Sequence, residues 1–175
     1  MNFHPTTVQR RIAGPLGPMI AAASERGLCG LWFDGQRHQP AEAVAAGWPE
    51  AGPHAVLDRT ANALQAYFDG DDRPLDLPLD LQGGTPFQQA VWQALLAIPR
   101  GQTLSYRALS ERIGLPSAVR AVGTAVGRNP VSIVVPCHRV VGADGSLTGY
   151  AGGLERKASL LRLENALATA EGLWA

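Results

Sequence analysis

The chain has 175 residues, 46% hydrophobic and 17% charged, with zero formal net charge, which excludes a disordered or low-complexity chain and allows one large domain or two small ones. No apolar run approaches the ~20 residues of a membrane span, and "MNFHPTTVQRRIAGPLG" lacks the apolar core of a secretory signal, so a cytoplasmic protein without membrane contact is expected. The two cysteines, Cys29 and Cys137, are expected to stay unpaired in such a reducing compartment.

In chain order, "TVQRRIA" and "MIAAAS" predict strands separated by the turn-forming "GPLGP", and "LCGLWFD" predicts a third. The segment "GPHAVLDRTANALQAYFDG" carries Leu57, Ala61, Leu64 and Phe68 at helical spacing and predicts an amphipathic helix stopped at Gly70. Residues 71–84, "DDRPLDLPLDLQGG", have no helical period and read as a linker, which divides the chain into domains at 1–84 and 85–175.

After the linker, "TPFQQAVWQALLAIPRG" predicts a helix with Thr85 as N-cap, Pro86 at its first position and Gln88 completing a capping box. Its apolar stripe is Phe87, Ala90, Val91, Ala94, Leu95 and Ile98. "SYRALSERIG" predicts a short helix ending at Gly114, and the turn "GLPS" leads to "SAVRAVGTAVG", a helix expected to be capped by Ser117. Two short helices about a tight turn make a helix-turn-helix candidate. Val119, Val122 and Val126 supply the buried stripe of the second helix; Arg120 lies outside it with the small neighbours Ser117, Gly123 and Thr124. That pattern lets the helix backbone approach a partner closely with one long cation projecting.

Charge is unevenly spread. Residues 1–84 hold six Arg and ten Asp/Glu, whereas residues 85–175 hold nine Lys/Arg and five Asp/Glu. Between Arg100 and Arg139 the only carboxylate is Glu111, a basic stripe that favours a polyanionic partner.

"VSIVV", residues 131–135, predicts a buried strand, and "PCHR" follows it. Cys137 in such a place is core filler, a metal ligand or a nucleophile. A thiol needs help to ionise at neutral pH, and His138 is adjacent. Adjacent side chains on a strand point to opposite faces, so cooperation requires the strand to end or bend at Pro136, or a bridging water. The imidazole also needs a group to fix its tautomer. In "GLERKASLLRLENALATA" the apolar stripe is Leu154, Ala158 and Leu161, with Glu164 beside it. A core-facing carboxylate needs a donor, and the candidates are His138, a backbone amide, Arg139 and Arg162. Between them, "GYAGG" is a glycine-rich loop around Tyr150, suited to gripping a flat heteroatom-rich ligand.

"NPVSIVVPCHRVV" and "GYAGGLERKASLLRLE" resemble the active-site region of the O6-alkylguanine-DNA alkyltransferases, and "TPFQQAVWQALLAIPRGQTLSY" resembles the start of the same domain. The resemblance is close over residues 85–165 and loose over 1–84. It implies an α+β fold, with an N-terminal β-sheet domain carrying a helix and a mainly helical C-terminal domain with a winged helix-turn-helix.

The same resemblance implies minor-groove binding to double-stranded DNA, with O6-alkylguanine and O4-alkylthymine as the targets. The lesion base is extruded because its alkylated oxygen is out of reach inside a duplex. Cys137 takes the alkyl group once and irreversibly, with His138 and Glu164 withdrawing its proton through water. Arg120 fills the vacated base stack, Tyr106 crowds the 3′ phosphate, and Asn129 braces the turn before the reactive segment. Ser117, Ala121, Thr124 and Arg128 join Arg120 and Tyr106 on the groove face. Val140, Tyr150, Ala151 and Gly152 join Cys137 around the base, the carbonyls of Cys137 and Val140 accepting from its amino group. No cofactor and no metal are implied; Cys29, His4, His38 and His54 are too scattered for the zinc some relatives carry, and Cys29 reads as packing. A monomer is expected. The rivals are an alkyltransferase-like lesion-binding protein, a DNA-binding regulator without transfer, and a cysteine hydrolase.

Overall fold

A computed structural model describes residues 1–41 and 47–167. Strands β1 (Val8–Ile12), β2 (Met19–Ser24) and β3 (Gly27–Phe33) form an antiparallel sheet in the order β1-β2-β3. β2 and β3 are nearly continuous apolar runs and are accordingly buried along their whole length, whereas β1, VQRRI, is only partly buried. One face is covered by helix α1 (Ala55–Phe68) and the other by Phe3, Trp32 and Trp48. Gly30 is obligatory beside that aromatic group, because a Cβ there would lie 1.8 Å from the Trp32 ring. Helix α1 buries Leu57, Thr60, Leu64 and Tyr67; Tyr67, rather than Phe68, is its fully inward aromatic. Residues 71–84 contain no regular element, but Leu77 and Leu81 are buried and Leu79 bridges to Leu28 of β3.

Helix α2 (Pro86–Leu96) starts with the expected capping box, in which Gln88 N–H donates to the Thr85 hydroxyl and Thr85 N–H to the Gln88 carboxamide. Its stripe differs from the expected one: Trp92 is buried and Ala90 exposed. The Trp92 indole N–H donates to the Ala125 carbonyl at 2.9 Å, tying α2 to the later helix of the pair. That buried indole needs an acceptor, and the Ala125 carbonyl is it.

Strand β4 (Leu104–Ser105) leads into α3 (Tyr106–Arg112), capped by Ser105, and Gly114 in the left-handed region ends it. Helix α4 (Val119–Gly127) follows. Ser117 does not cap it: the cap position is Ala118, with no side-chain hydrogen bond, and Ser117 is exposed one residue earlier. The turn is instead closed by Ala118 N–H on the Leu115 carbonyl and by the Ser110 hydroxyl on that same carbonyl. Strand β5 (Val140–Val141) pairs in parallel with β4, and α5 (Leu154–Leu163) completes the described elements. The buried residues of α5 are Lys157, Leu160 and Leu161, while Leu154, expected inside, is exposed. Expected helical residues 168–170 lie outside the described part.

"VSIVV" is not a strand. Val131 alone bridges to Leu31 of β3, and the chain then turns through Ile133, which has φ 70°. Val134 and Val135 N–H groups bond to Ser132 and Val131 carbonyls in place of a ladder. The β-branched composition reflects complete burial of Val131, Ile133 and Val135, a condition that a turn locked in the core satisfies as well as a strand does. Leu31 N–H donates to the Pro130 carbonyl and Ser132 N–H to the Leu31 carbonyl, both at 2.8 Å, so the edge of β3 sets the position of the segment that leads to Cys137. A single hydrophobic cluster runs from Leu28 and Phe33 through Trp92 and Val131 to Leu160.

Candidate active site and nucleic-acid face

Pro136 ends the turn, and Cys137–Arg139 form one turn of 3-10 helix, the bend that cooperation between Cys137 and His138 requires. The Asn129 carboxamide organises the whole loop. Its oxygen accepts from Val131 N–H at 3.0 Å, while its nitrogen donates to the Val135 carbonyl at 2.8 Å and to Cys137 Sγ at 3.0 Å. One short side chain thus satisfies backbone groups a strand would have paired and presents a donor to the sulfur.

His138 and Glu164 are both buried, at 0% and 2% exposure. His138 Nε2 lies 2.9 Å from Glu164 Oε1. Arg139 approaches the same carboxylate with Nε on Oε2 at 2.8 Å and Nη2 on Oε1 at 2.9 Å, and the Tyr67 hydroxyl donates to Oε1 at 2.7 Å. Two of the alternatives that the sequence left open for Glu164, His138 and Arg139, are therefore realised together.

Burial pushes the Glu164 carboxyl up, but the hydrogen bonds from His138, Arg139 and Tyr67 outweigh it and hold the group below its ordinary range. For His138, burial outweighs the attraction of Glu164 and pulls the imidazolium below its ordinary value. The ring is thus neutral at pH 7, with its proton on Nε2 facing the carboxylate. Nδ1 then carries the lone pair and has no hydrogen-bond partner among the described residues. Burial pushes the Cys137 thiol up, opposed by the Asn129 donor and the charge of Lys157. The site therefore stores a neutral thiol beside a base whose free nitrogen is oriented by a buried anion.

Two residues of this site escaped the sequence reading. Tyr67 comes from α1, outside the helical domain; its signal was the 57/60/64/67 spacing, which puts a hydroxyl on the core face. Lys157 is fully buried on α5, and its Nζ donates to the carbonyls of Val140, Thr148 and Gly149 at 2.5, 2.8 and 3.2 Å. Its signal was its place three and four residues before Leu160 and Leu161 on one helical face. Desolvation lowers its pKa to about 8. The Val140 carbonyl, expected to accept from a bound base, accepts from this ammonium and keeps a second lone pair.

Tyr106, Arg120, Gly123, Thr124, Arg128, Gly149, Tyr150 and Ala151 line one cleft of ≈570 Å³. Arg120, Ala121, Thr124 and Arg128 are exposed on one face of α4 and the residue after it, and Ser117 is exposed just before the helix. The Tyr106 ring packs against Gly123, and its hydroxyl donates toward the Thr148 and Gly149 carbonyls at 3.2 and 3.3 Å. The Tyr150 hydroxyl is buried without a partner among the described residues. Gly152 makes room for that ring, since a Cβ there would lie 2.7 Å from it and 3.1 Å from Phe33. Cys29 packs with Ile20, Ala22 and Trp32 in a separate cluster on the sheet, and burial pushes its thiol up to about 11. It is an inert packing residue.

Residues 9–81 match the family model of the 6-O-methylguanine DNA methyltransferase ribonuclease-like domain, and residues 86–166 that of the 6-O-methylguanine DNA methyltransferase DNA binding domain. The chain is 48% identical over 156 residues to the methylated-DNA–protein-cysteine methyltransferase of Mycobacterium leprae, covering 89% of this chain and 90% of that protein. The crystal structure of Mycobacterium tuberculosis O6-methylguanine methyltransferase superposes with a TM-score of 0.80 at 44% identity, over 94% of this chain and 96% of that one. A structure of Mycobacterium tuberculosis OGT in complex with DNA matches with the same score and identity over 93% and 96%. No helix among the described residues is long and apolar enough to cross a membrane. Continuous similarity across both halves of the sequence, joined to the Cys137–His138–Glu164 geometry, makes this chain a member of the methylated-DNA–protein-cysteine methyltransferase family.

Proposed function

We propose that this chain repairs O6-alkylguanine in duplex DNA by moving the alkyl group to Cys137, once per molecule. The observation that carries this reading is the buried Glu164–His138 pair beside a thiol that Asn129 holds by its sulfur. A proton passes from Cys137 through water to Nδ1 of His138 while Glu164 steadies the Nε2–H. The thiolate attacks the alkyl carbon in line, the carbon–O6 bond breaks with its electron pair on O6, and guanine takes back one proton. The product thioether has no leaving group, so the protein is consumed. O4-alkylthymine presents the same oxygen-linked alkyl carbon and falls within the reading.

The polyanion is met by α4, whose exposed face carries small residues and Arg120. A helix with this surface can sit in a minor groove with Arg120 standing in for an extruded base, while Tyr106 and Tyr150 flank the base in its cleft. The protein acts as a monomer in the cytoplasm, with no cofactor. Residues 1–84 and 85–175 form its two domains, the first bracing the site through Tyr67.

The test is Cys137→Ala. This variant is expected to bind alkylated duplex with near-native affinity and to remove no alkyl group in single-turnover assays. Transfer that persisted, on Cys29 or any other residue, would sink the assignment. Release of free alcohol with repeated turnover by the native chain would indicate a hydrolase.

A further inference from the structure

The cleft lined by Tyr106, Arg120, Arg128 and Tyr150 is also lined by two residues that follow the N-terminal sheet, Arg37 and His38. They follow β3 in the short segment Asp34–His38, which is fastened at several points. The Gln36 side chain is buried, and its Oε1 accepts from Phe33 N–H at 2.9 Å and from the Ser132 hydroxyl at 3.2 Å. Arg37 N–H donates to the Ala151 carbonyl at 3.0 Å. The segment thus grips both the loop before Cys137 and the glycine-rich loop around Tyr150.

With Gln36 turned inward, the side chains of Arg37 and His38 are exposed. His38 holds a φ of 62°, a left-handed conformation uncommon for a residue with a Cβ. Asp34, the one carboxylate of the segment, is directed at Arg11, 3.3 Å away. The cleft lining itself contains three arginines and a histidine and no carboxylate among the described residues. Arg37 thus stands on a segment held to its neighbours by three hydrogen bonds, so little backbone freedom is lost when its side chain meets an anion.

We propose that Arg37, seconded by His38, is a strand clamp: it binds a backbone phosphate of the DNA strand that carries the extruded nucleotide. This inference rests on the repair reading above and extends it by giving the N-terminal sheet domain a direct contact with DNA. Arg128 meets the strand from the end of α4 while Arg120 occupies the base stack, and Arg37 closes on the strand across the cleft. A phosphate contact carries no sequence information, so the clamp acts equally on damaged and undamaged duplex.

The test compares full-length Arg37→Ala, Arg37→Glu and Arg37→Lys with the native chain. Affinity for an unmodified duplex is measured by anisotropy across a salt series, and single-turnover rates are measured on an O6-methylguanine duplex and on the free O6-methylguanine base. Arg37→Ala is expected to weaken duplex binding about 2- to 10-fold at low salt and to reduce the salt slope by about one. Arg37→Glu is expected to lose more, and Arg37→Lys to keep the slope, because a point charge suffices for a phosphate. The ratio of duplex rate to free-base rate at subsaturating DNA should fall in step with affinity. Native affinity and slope in Arg37→Glu would overturn the clamp alone. Failure of the native chain to take a methyl group from the duplex would instead overturn the repair reading on which it rests.

Discussion

Glu164 gathers the imidazole of His138, the guanidinium of Arg139 and the hydroxyl of Tyr67 on one buried carboxylate. Such a group is acceptor-only when ionised, and every donor around it favours that state. Glu164→Gln should therefore do more than weaken one contact. Without the anion, the Nε2–H of His138 is less polarised and Nδ1 becomes a poorer acceptor for the Cys137 proton. Burial already pushes that thiol up, so its reactive form grows only as pH rises. The transfer rate of the variant is expected to fall on the order of 100-fold at pH 7, and its pH–rate profile to move to higher pH. The sign for stability is separate. A folded carboxyl held below its ordinary range contributes stability above that range and loses it as pH falls, so the acid limb of the native stability curve should flatten in Glu164→Gln. An unmoved pH–rate profile would leave Glu164 a purely structural residue.

Among the elements, the three strands of the sheet and the helix-turn-helix pair were legible from turn residues, apolar runs and period, and the capping box at Thr85 was legible residue by residue. The loop that carries Cys137 was not. "VSIVV" scores as a strand because β-branched residues mark burial, and nothing local in the sequence announces that Ile133 takes a left-handed turn. The Asn129 carboxamide makes that turn possible by pairing backbone groups two and six residues on, an arrangement that periodicity does not reveal. Cys137, His138 and Glu164 stood out in the sequence by residue type, and the structure brings His138 and Glu164 to 2.9 Å, whereas Tyr67 and Lys157 were hidden because each is a polar tip on a residue otherwise spent on packing.

If Arg120 fills the space of an extruded base, Arg120→Ala should slow repair in duplex roughly 10- to 1000-fold while reaction with the free alkylguanine base falls far less. Arg120→Lys should restore only part, since an ammonium cannot stack or present a planar fork. Equal losses on both substrates would assign Arg120 to the fold.

At the scale of the molecule, the reactive sulfur sits inside the cluster that joins the sheet to the helices. Cys137 is 5% exposed and held by Asn129, so a transferred methyl group adds volume where packing is complete and perturbs the contact that braces the loop. Overpacking of this kind costs about 1–3 kcal/mol, which for a chain of this size lowers Tm by roughly 2–10 °C. Thermal melts before and after complete reaction check this, and an equal or higher Tm for the alkylated form would show that the cavity already accommodates the group. Repair by this chain turns on one bond, between Cys137 and the alkyl carbon. Intact mass and peptide mapping of the native protein, after incubation with excess O6-methylguanine duplex, test it most directly. The expected result is a gain of one CH₂ per chain, located on Cys137, with methylguanine consumed in equal amount and no more; no gain, a gain on Cys29, or continued turnover would contradict it.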